Sequence, residues 1–334
     1  MGDVAYDAFL LVSFGGPEGQ EDVLPFLENV TRGRGIPRER LETVAEHYRH
    51  FGGVSPINAQ CRELLQALDL DLPVYWGNRN WHPFLEDTVR QLRDDGVQHA
   101  LAFVTSPFGS FSSCRQYLDD IAKARANVEG APQIDKIRHY HDHPGYIAPH
   151  ADAVRAALAQ LPSRMAARLV FTAHSIPTAM NDSSGPDGKR YEAQLRETAA
   201  LVAAEAAPEL PWDLVWQSRS GSPHVPWLEP DVNAHLEHLA EQGVTEVVVS
   251  PIGFISDHLE VVWDLDEEAR ATAARLGLAY VRAATPGTDP RFVAMIRQLV
   301  DERVLAHSNV RHALGTVPTW DFCPADCCVS PKRA

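Results

Sequence analysis

The stretch "LVFTAHSIPTAMND", residues 169–182, places an imidazole where an apolar run gives way to a loop. Leu169 to Phe171 read as a buried strand, His174 follows directly, and an Ile-Pro turn comes after it. A second stretch, "VVVSPIGFISDHLEVVWDLDEEA", has the same form. Val247 to Val249 read as a strand, Ser256 as an N-cap and Asp257 as part of a first helical turn. Glu260, Asp264 and Glu268 then follow at i, i+4 spacing. On an α-helix each such step drifts by only about 40°, so the three carboxylates share one face. Like charges at that spacing destabilise a helix by roughly 0.2–0.5 kcal/mol per pair. No lysine or arginine lies between residues 257 and 269 to relieve them. A capping histidine and a solvated acidic face would explain either stretch alone. Together they offer more. A histidine facing a carboxylate, with a ligand between them, suits proton transfer or capture of a first-row metal. Hard oxygens in a line suit the passage of protons or of a hydrated divalent cation, and mutual repulsion raises carboxylate pKa values toward easy proton exchange.

Two other groups carry chemistry. "TRGRGIPRER" puts Arg32, Arg34, Arg38 and Arg40 within nine residues, and Arg49 follows shortly after. Such a cluster either holds a small anion through guanidinium pairing or is a set of solvated loop charges. Of five cysteines, Cys61 and Cys114 are isolated, while Cys323, Cys327 and Cys328 crowd "CPADCC". The odd count argues against a disulfide framework. Zinc sites pair two C-x2–4-C halves and only one half is visible, so a fourth thiol would have to come from Cys61 or Cys114. Free or redox-active thiols are the alternative. Cys61, on the helix-like "AQCRELLQAL", reads as a small buried residue.

These groups need elements to hold them. At 334 residues the chain exceeds one comfortable core, so two domains of roughly 150 residues are expected. "DAFLLVSF", "DLPVYWGN" and "HALAFVTS" read as strands in the first half, with helices over "HPFLEDTVRQLRDDG" and from Ser112 to Glu129. A Pro- and His-rich connection, "HYHDHPGYIAPH", occupies 139–150. In the second half "ARLVFTA", "WDLVWQS", "TEVVVSP" and "GLAYVRA" read as strands, separated by helices such as "YEAQLRETAALVAAEAA" and "DVNAHLEHLAEQG". Strands alternating with helices imply an α/β fold: two similar domains, each a parallel sheet flanked by helices, with a cleft between them. Ligands in such sheets bind beyond the carboxyl ends of the strands, which puts His174 and Glu260 at one rim. The net charge of −15 argues against a nucleic-acid partner. No apolar run approaches the roughly 18–20 residues of a membrane span, and "MGDVAYDAFLLVSF" lacks the features of a signal peptide, so a cytoplasmic location is expected.

At these residues the sequence resembles the ferrochelatases. "TAHSIP" with His174 is similar to their histidine segment, and "SDHLEVVWDLDEEA" to their acidic π-helix segment. "LLVSFGGPEG", "FGGVSPINAQ" at 51–60, "WGNRNWHPFLEDTV" at 76–89 and "WQSRSGSPHVPWLEPDV" at 216–232 extend the resemblance over nearly the whole chain. It implies a chelatase-like fold of two Rossmann-like domains around a porphyrin cleft: 1–150 with a porphyrin-binding lip, 151–310 with the metal site, and 311–334 as a cysteine-bearing tail. It also implies that His174 and Glu260 are the catalytic, metal-contacting pair and that Asp264 and Glu268 continue an acidic path. By the same resemblance Ser55 and Tyr117 fall where bacterial members hold porphyrin propionates, and Tyr48 and the arginines around Arg32 lie in the N-terminal lip of the substrate site. Phe14 stands where many bacterial relatives have a tyrosine able to touch the metal. It can only pack on the macrocycle, which leaves His174 as the protein ligand. For the thiols the resemblance favours Cys114 with Cys323, Cys327 and Cys328 around a [2Fe–2S] cluster, since four thiolates match its needs. That cluster would pin the tail to the first domain.

The activity so implied is insertion of Fe2+ into a porphyrin. Coproporphyrin III is favoured, giving Fe-coproporphyrin III on the route to haem b, because its four propionates suit a chain with no evident membrane-binding lip. Protoporphyrin IX chelation, cobalt or nickel chelation on the same fold, and a haem or porphyrin carrier are the alternatives. A carrier would have no use for three carboxylates. The resemblance also allows transient contact with neighbouring haem-pathway enzymes.

Overall fold

Each of these apolar runs becomes a strand, and every strand pairing is parallel. The computed structural model describes residues 6–33, 35–163, 166–221, 224–304, 310–324 and 326–330. In the first sheet β1 (Ala8–Ser13) lies between β2 (Val74–Asn78) and β3 (His99–Val104), with β4 (Gln133–Lys136) at the edge. In the second, β5 (Ala167–His174) lies between β6 (Trp212–Gln217) and β7 (Glu246–Ser250), with β8 (Ala279–Arg282) at the edge. The two strand orders, β2-β1-β3-β4 and β6-β5-β7-β8, are the same topology. All six residues of β1 are buried, as helices on both faces of a parallel sheet require. β4 is not anticipated by the apolar pattern, because "QIDK" is a short edge strand with alternating polar residues.

The helices of the first half are α1 (Gln20–Val30), α2 (Arg38–His50), α3 (Ile57–Ala67), α4 (Leu85–Asp94) and α5 (Gln116–Ala126). The helix expected from Ser112 to Glu129 thus begins as a π-helix, Phe111–Arg115, and continues as α5. The remaining helices are α6 (Pro144–Leu158), α7 (Thr178–Asp182), α8 (Arg190–Ala206), α9 (Val232–Glu241), α10 (Leu259–Val261), α11 (Arg270–Leu276) and α12 (Pro290–Val304). The second half of the supposed connection at 139–150 is therefore helical. Pro144 occupies the first helical position, where its fixed φ is an advantage, and the His143 ring accepts the Gly145 N–H at 3.0 Å.

The boundary expected at 150/151 falls inside α6. That helix and α12 bridge the sheets through one apolar core, in which Phe9, Leu101 and Phe103 are buried together with Phe171, Val248, Tyr146 and Phe292. The Phe292 ring lies 6.5 Å from Phe103 and 6.4 Å from Tyr146. The second half therefore leans on the first sheet through its last helix. One continuous apolar core thus joins the two sheets. Among the described residues no helix is long and apolar enough to cross a membrane.

Candidate active site

His174 is the last residue of β5, the central strand of its sheet. Its backbone is tightly fixed. The Tyr191 hydroxyl donates to the His174 carbonyl at 2.9 Å, and the Ser175 N–H donates to the Gln217 carbonyl at 2.7 Å. The ring Nδ1 lies at 2.5 Å from the Ser175 carbonyl. A carbonyl only accepts, so Nδ1 carries a proton; in the neutral form of the ring Nε2 is then the lone-pair bearer, and it is the nitrogen turned outward. That Nε2 is 3.6 Å from Oε2 of Glu260, beyond hydrogen-bond range. In that form two lone-pair bearers face each other without a shared hydrogen. A proton, a water or a divalent ion can satisfy both, and one ion of ordinary bond length, about 2.1 Å, reaches both atoms. The side chains are 33% and 49% exposed, so a ligand can reach them.

This corrects the expected geometry. At 3.6 Å no macrocycle fits between His174 and Glu260, so they do not face each other across a ligand. They stand side by side because β5 and β7 are adjacent parallel strands, so the chain leaves both at the same edge of the sheet. Both groups address one face of whatever binds there.

The acidic segment also departs from a regular α-helix. The helix starts at Leu259 with His258 in the cap position, not at Ser256. Asp257 is drawn away from the helix start by Arg282, whose two terminal nitrogens reach its two carboxylate oxygens at 3.0 Å each. A bidentate ion pair outweighs a weak cap. From Val262 to Ala269 the turn widens to π, and on its surface the Trp263 indole Nε1 donates to the Glu268 side-chain Oε1 at 3.0 Å. Glu260, Asp264 and Glu268 nevertheless line one cavity of about 270 Å3. Its far wall is α2, which contributes Arg40, Val44, His47 and Tyr48. Two guanidinium groups from other elements, Arg40 of α2 and Arg219 beyond β6, line the same cavity as the three carboxylates. Trp263 stacks on His47 with ring centroids 4.0 Å apart and planes 8° from parallel, and Leu259 is buried with Phe26 and Tyr48.

Asp264 is held from behind. The Gln217 amide donates to its Oδ2 at 3.2 Å, and the Ser218 hydroxyl donates to the same oxygen. Ser218 has φ of 60°, an unusual backbone for a residue other than glycine and one that costs on the order of 1–3 kcal/mol. Burial is the main cause that pushes the Asp264 carboxyl up to about 7; the charges of Glu260 and Glu268 add to it, against the two donors. Asp264 therefore exchanges protons near neutrality. The linkage has a definite sign. Above about pH 4 the unfolded chain releases this proton while the folded protein keeps it, so stability falls as pH rises toward about 7. Asp264→Asn should flatten that slope in urea midpoints measured at pH 5 and pH 7.5. Parallel slopes for both proteins would contradict the assignment. Burial shifts the neighbouring His258 the other way, below the ordinary imidazole value.

On the first half's side of the rim, Phe14 follows β1 and is 37% exposed. The Arg79 guanidinium lies 5.9 Å from the Phe14 ring and 4.6 Å from the Tyr117 ring, and pairs with Asp120 at 2.5 Å. Tyr117 is buried, with its hydroxyl 3.5 Å from Thr105 Oγ1, and Ser55 is buried with its N–H on the Pro17 carbonyl at 2.9 Å. Tyr48 is placed differently from these, facing the acidic cavity, where burial and then the Glu260 charge push its phenol up. Arg32 is exposed in the turn after α1, and Arg34 lies outside the described residues. Arg38 pairs with Glu28 and Glu42, and Arg49 with Glu42 and Glu46, so these two of the five arginines are neutralised by carboxylates of α1 and α2. Arg40 is the member that opens onto the cavity. Arg79, Gln217 and Ser218 carry no mark in the sequence pattern. Each stands at or just beyond the carboxyl end of a strand, so the rim rule would have flagged all three.

Four of the five thiols converge. Cys114 is buried in the π-helix Phe111–Arg115 and lies close enough to Cys323 for the two thiols to influence each other's ionisation, and Cys323 is related to Cys327 in the same way. Cys327 and Cys328 sulfurs are 3.6 Å apart, and the Gly185 N–H donates to Cys328 Sγ at 3.2 Å. The neighbouring Cys114 and Cys327 pull the Cys323 thiol far below its ordinary value. Cys61 is separate, in α3, where burial pushes its thiol up to about 11.

A family model described as Ferrochelatase matches residues 6–304. Coproporphyrin III ferrochelatase of Nocardia farcinica is 54% identical, over 99% of this chain and 98% of that protein. The protein of that name from Mycolicibacterium vanbaalenii is 54% identical over 97% and 99%, and the ferrochelatase of Rhodopirellula baltica is 52% identical over 98% and 95%. Among solved structures, SirB from Bacillus subtilis with Fe3+ is 15% identical with a TM-score of 0.51, covering 93% of this chain and all of that one. The sirohydrochlorin chelatase SirB of subspecies spizizenii in complex with cobalt is 13% identical with a TM-score of 0.53 over the same shares. At such identities the likeness concerns the fold alone.

Proposed function

The chain belongs to the ferrochelatase family, and from that premise we propose that it inserts Fe2+ into coproporphyrin III. The reaction is electrically balanced: Fe2+ enters and two pyrrole protons leave. The observation that carries the reading is the outward-turned Nε2 of His174 beside Oε2 of Glu260 at the strand-end rim. Coproporphyrin III is the substrate named for relatives that match this chain along nearly its whole length.

A planar porphyrin hides its nitrogen lone pairs in the ring plane, so insertion needs the ring bent. Binding energy from its rim can offset that strain. Phe14 supplies an apolar face for the ring, and His174 with Glu260 supplies the polar one. His174 Nε2 accepts one pyrrole proton, with Glu260 stabilising the imidazolium that forms; passing that proton to Glu260 and on to the acidic line frees Nε2 to accept the second. The cavity lies behind Glu260 and His174 does not line it, which suits a conduit to the pair and leaves the ring in the open cleft. Asp264, titrating near 7 between Glu260 and Glu268, passes protons along it.

The thiols form a separate centre. Four sulfurs, one from the first half and three from the tail, with a backbone N–H on one of them, fit the donor set of a [2Fe–2S] cluster. Cys114, Cys323, Cys327 and Cys328 would hold it. When bound it supplies a one-electron couple, and metal insertion needs none.

Anaerobic Fe2+ insertion followed by absorbance, with coproporphyrin III and protoporphyrin IX side by side, tests the reading. We expect kcat/KM at least about tenfold higher for coproporphyrin III. Equal or reversed values would overturn the substrate assignment. Tight binding of both rings without turnover would instead make the protein a carrier.

A further inference from the structure

The C-terminal tail has no helix or strand of its own between residues 311 and 324, yet its course is fixed. Arg138 Nη2 donates to the His312 carbonyl at 2.9 Å, and the Leu314 N–H donates to the Asp142 carbonyl at 2.9 Å. The densest contact comes next. Oε1 of Glu197, on α8, accepts the Thr316 N–H at 2.5 Å, the Thr316 hydroxyl at 3.1 Å and the Val317 N–H at 3.1 Å. Its Oε2 takes His141 Nε2 at 3.1 Å. A Cβ at Gly315 would overlap Glu197 Oε2, so with any other residue there the carboxylate would have to leave its present position. Two turns earlier on α8, Arg190 donates to the Pro318 carbonyl and lies 4.3 Å from the Trp320 ring centroid.

His141, Asp142 and Glu197 bring ligand atoms within 4.8 Å of one another, the spacing of a cation site. Two features argue against that use. The Glu197 carboxylate is already occupied by tail amides, and the Arg138 guanidinium stands 3.8 Å from Asp142. Burial pushes the Glu197 carboxyl up, but the His141, Thr316 and Val317 bonds outweigh it and hold it at about 2. It is thus a permanently charged anchor for backbone N–H groups. Six positions beyond Val317 comes Cys323, the first of the three tail thiols.

We propose that Glu197 is the positioning residue that sets the register of the tail, and so delivers Cys323, Cys327 and Cys328 to Cys114. That the thiols are delivered to a cluster rests on the proposed function; the clamp itself does not. It works because one carboxylate takes two successive backbone N–H groups, and slipping the tail by one residue would both break that match and set a side chain against the carboxylate in place of Gly315.

The test uses the full chain. Glu197→Ala removes the anchor, and Gly315→Val disturbs the same contact from the tail side. In reduced, metal-free protein, alkylation by iodoacetamide is followed for each cysteine by mass spectrometry. Cluster content of the protein as isolated is read from visible absorbance and acid-labile sulfide. We expect Cys327 and Cys328 to label about tenfold faster or more in both variants, with Cys61 unchanged and cluster content reduced several-fold. Unchanged labelling of the tail thiols would overturn the clamp, as would Cys61 accelerating in parallel, which would mean that Glu197 supports the whole fold. Wild-type protein without a cluster but with Glu197-dependent labelling would support the clamp and sink the cluster reading alone.

Discussion

Glu260→Gln is expected to slow Fe2+ insertion into coproporphyrin III by about 10²–10⁴-fold, the usual worth of a positioned acid–base group. Affinity for the porphyrin should stay within about threefold. Glutamine keeps the shape and polarity of the side chain but neither accepts a proton nor attracts a cation. In the wild type, Oε2 stands 3.6 Å from His174 Nε2, so its charge is the nearest counterweight to an imidazolium. It also begins the acidic line that runs through Asp264 to Glu268 along the cavity. On the proposed reading the contacts that hold the ring lie elsewhere, toward Phe14, and this substitution would leave them undisturbed. Turnover by absorbance and affinity by fluorescence quenching separate the two effects. A parallel loss of both would assign Glu260 to binding.

His174→Ala should reduce turnover by a similar factor, about 10²–10⁴-fold, and free imidazole should restore part of it. The backbone will hold, because β5 is paired on both sides, from Leu169 to His174 with β6 and from Ala167 to Phe171 with β7. The ring is one-third exposed, so removing it opens a slot at the rim that an added imidazole can enter. Partial rescue would mark the lost group as a proton acceptor or metal contact. Turnover above about a tenth of wild type, or loss without rescue together with a lowered melting temperature, would reduce His174 to a structural residue.

Much of this site could be read from strand ends. An apolar run followed at once by histidine, and another followed by a carboxylate, placed both groups at the same rim, because the carboxyl edge of a parallel sheet is where ligands bind. The sequence could not give their lateral relation. That β5 lies next to β7 depends on sheet order, and sheet order turned a supposed pair of opposing walls into two neighbours on one wall. Charge balance was similarly hidden. Residues 257–269 contain no lysine or arginine; Arg282 of β8 pairs with Asp257 and Asp266, and Arg40 of α2 and Arg219 reach the cavity from elsewhere in the chain. The widened turn at Val262–Ala269 has no signature in hydrophobic period, since its buried Leu265 and Ala269 fit an α-helix equally well. Helix α6 was missed because Pro144 and Pro149 read as breakers, although proline at the first helical position favours a helix. The thiols illustrate the opposite case. Cysteine spacing alone admits either Cys61 or Cys114 as the thiol that joins the tail, although the helix-like surroundings of Cys61 read as a buried position. Packing separates them, since Cys61 lies in the core with Leu64 while Cys114 meets Cys323.

A double-mutant cycle tests the shared action of the two rim groups most directly. Fe2+ insertion into coproporphyrin III at saturating substrate would be measured for wild type, Glu260→Gln, His174→Ala and the double variant. If imidazole and carboxylate exchange protons for iron as a unit, the double variant will be about as slow as the slower single one, because either loss already disables both. Losses that multiply would show two groups working independently, and would contradict the shared site.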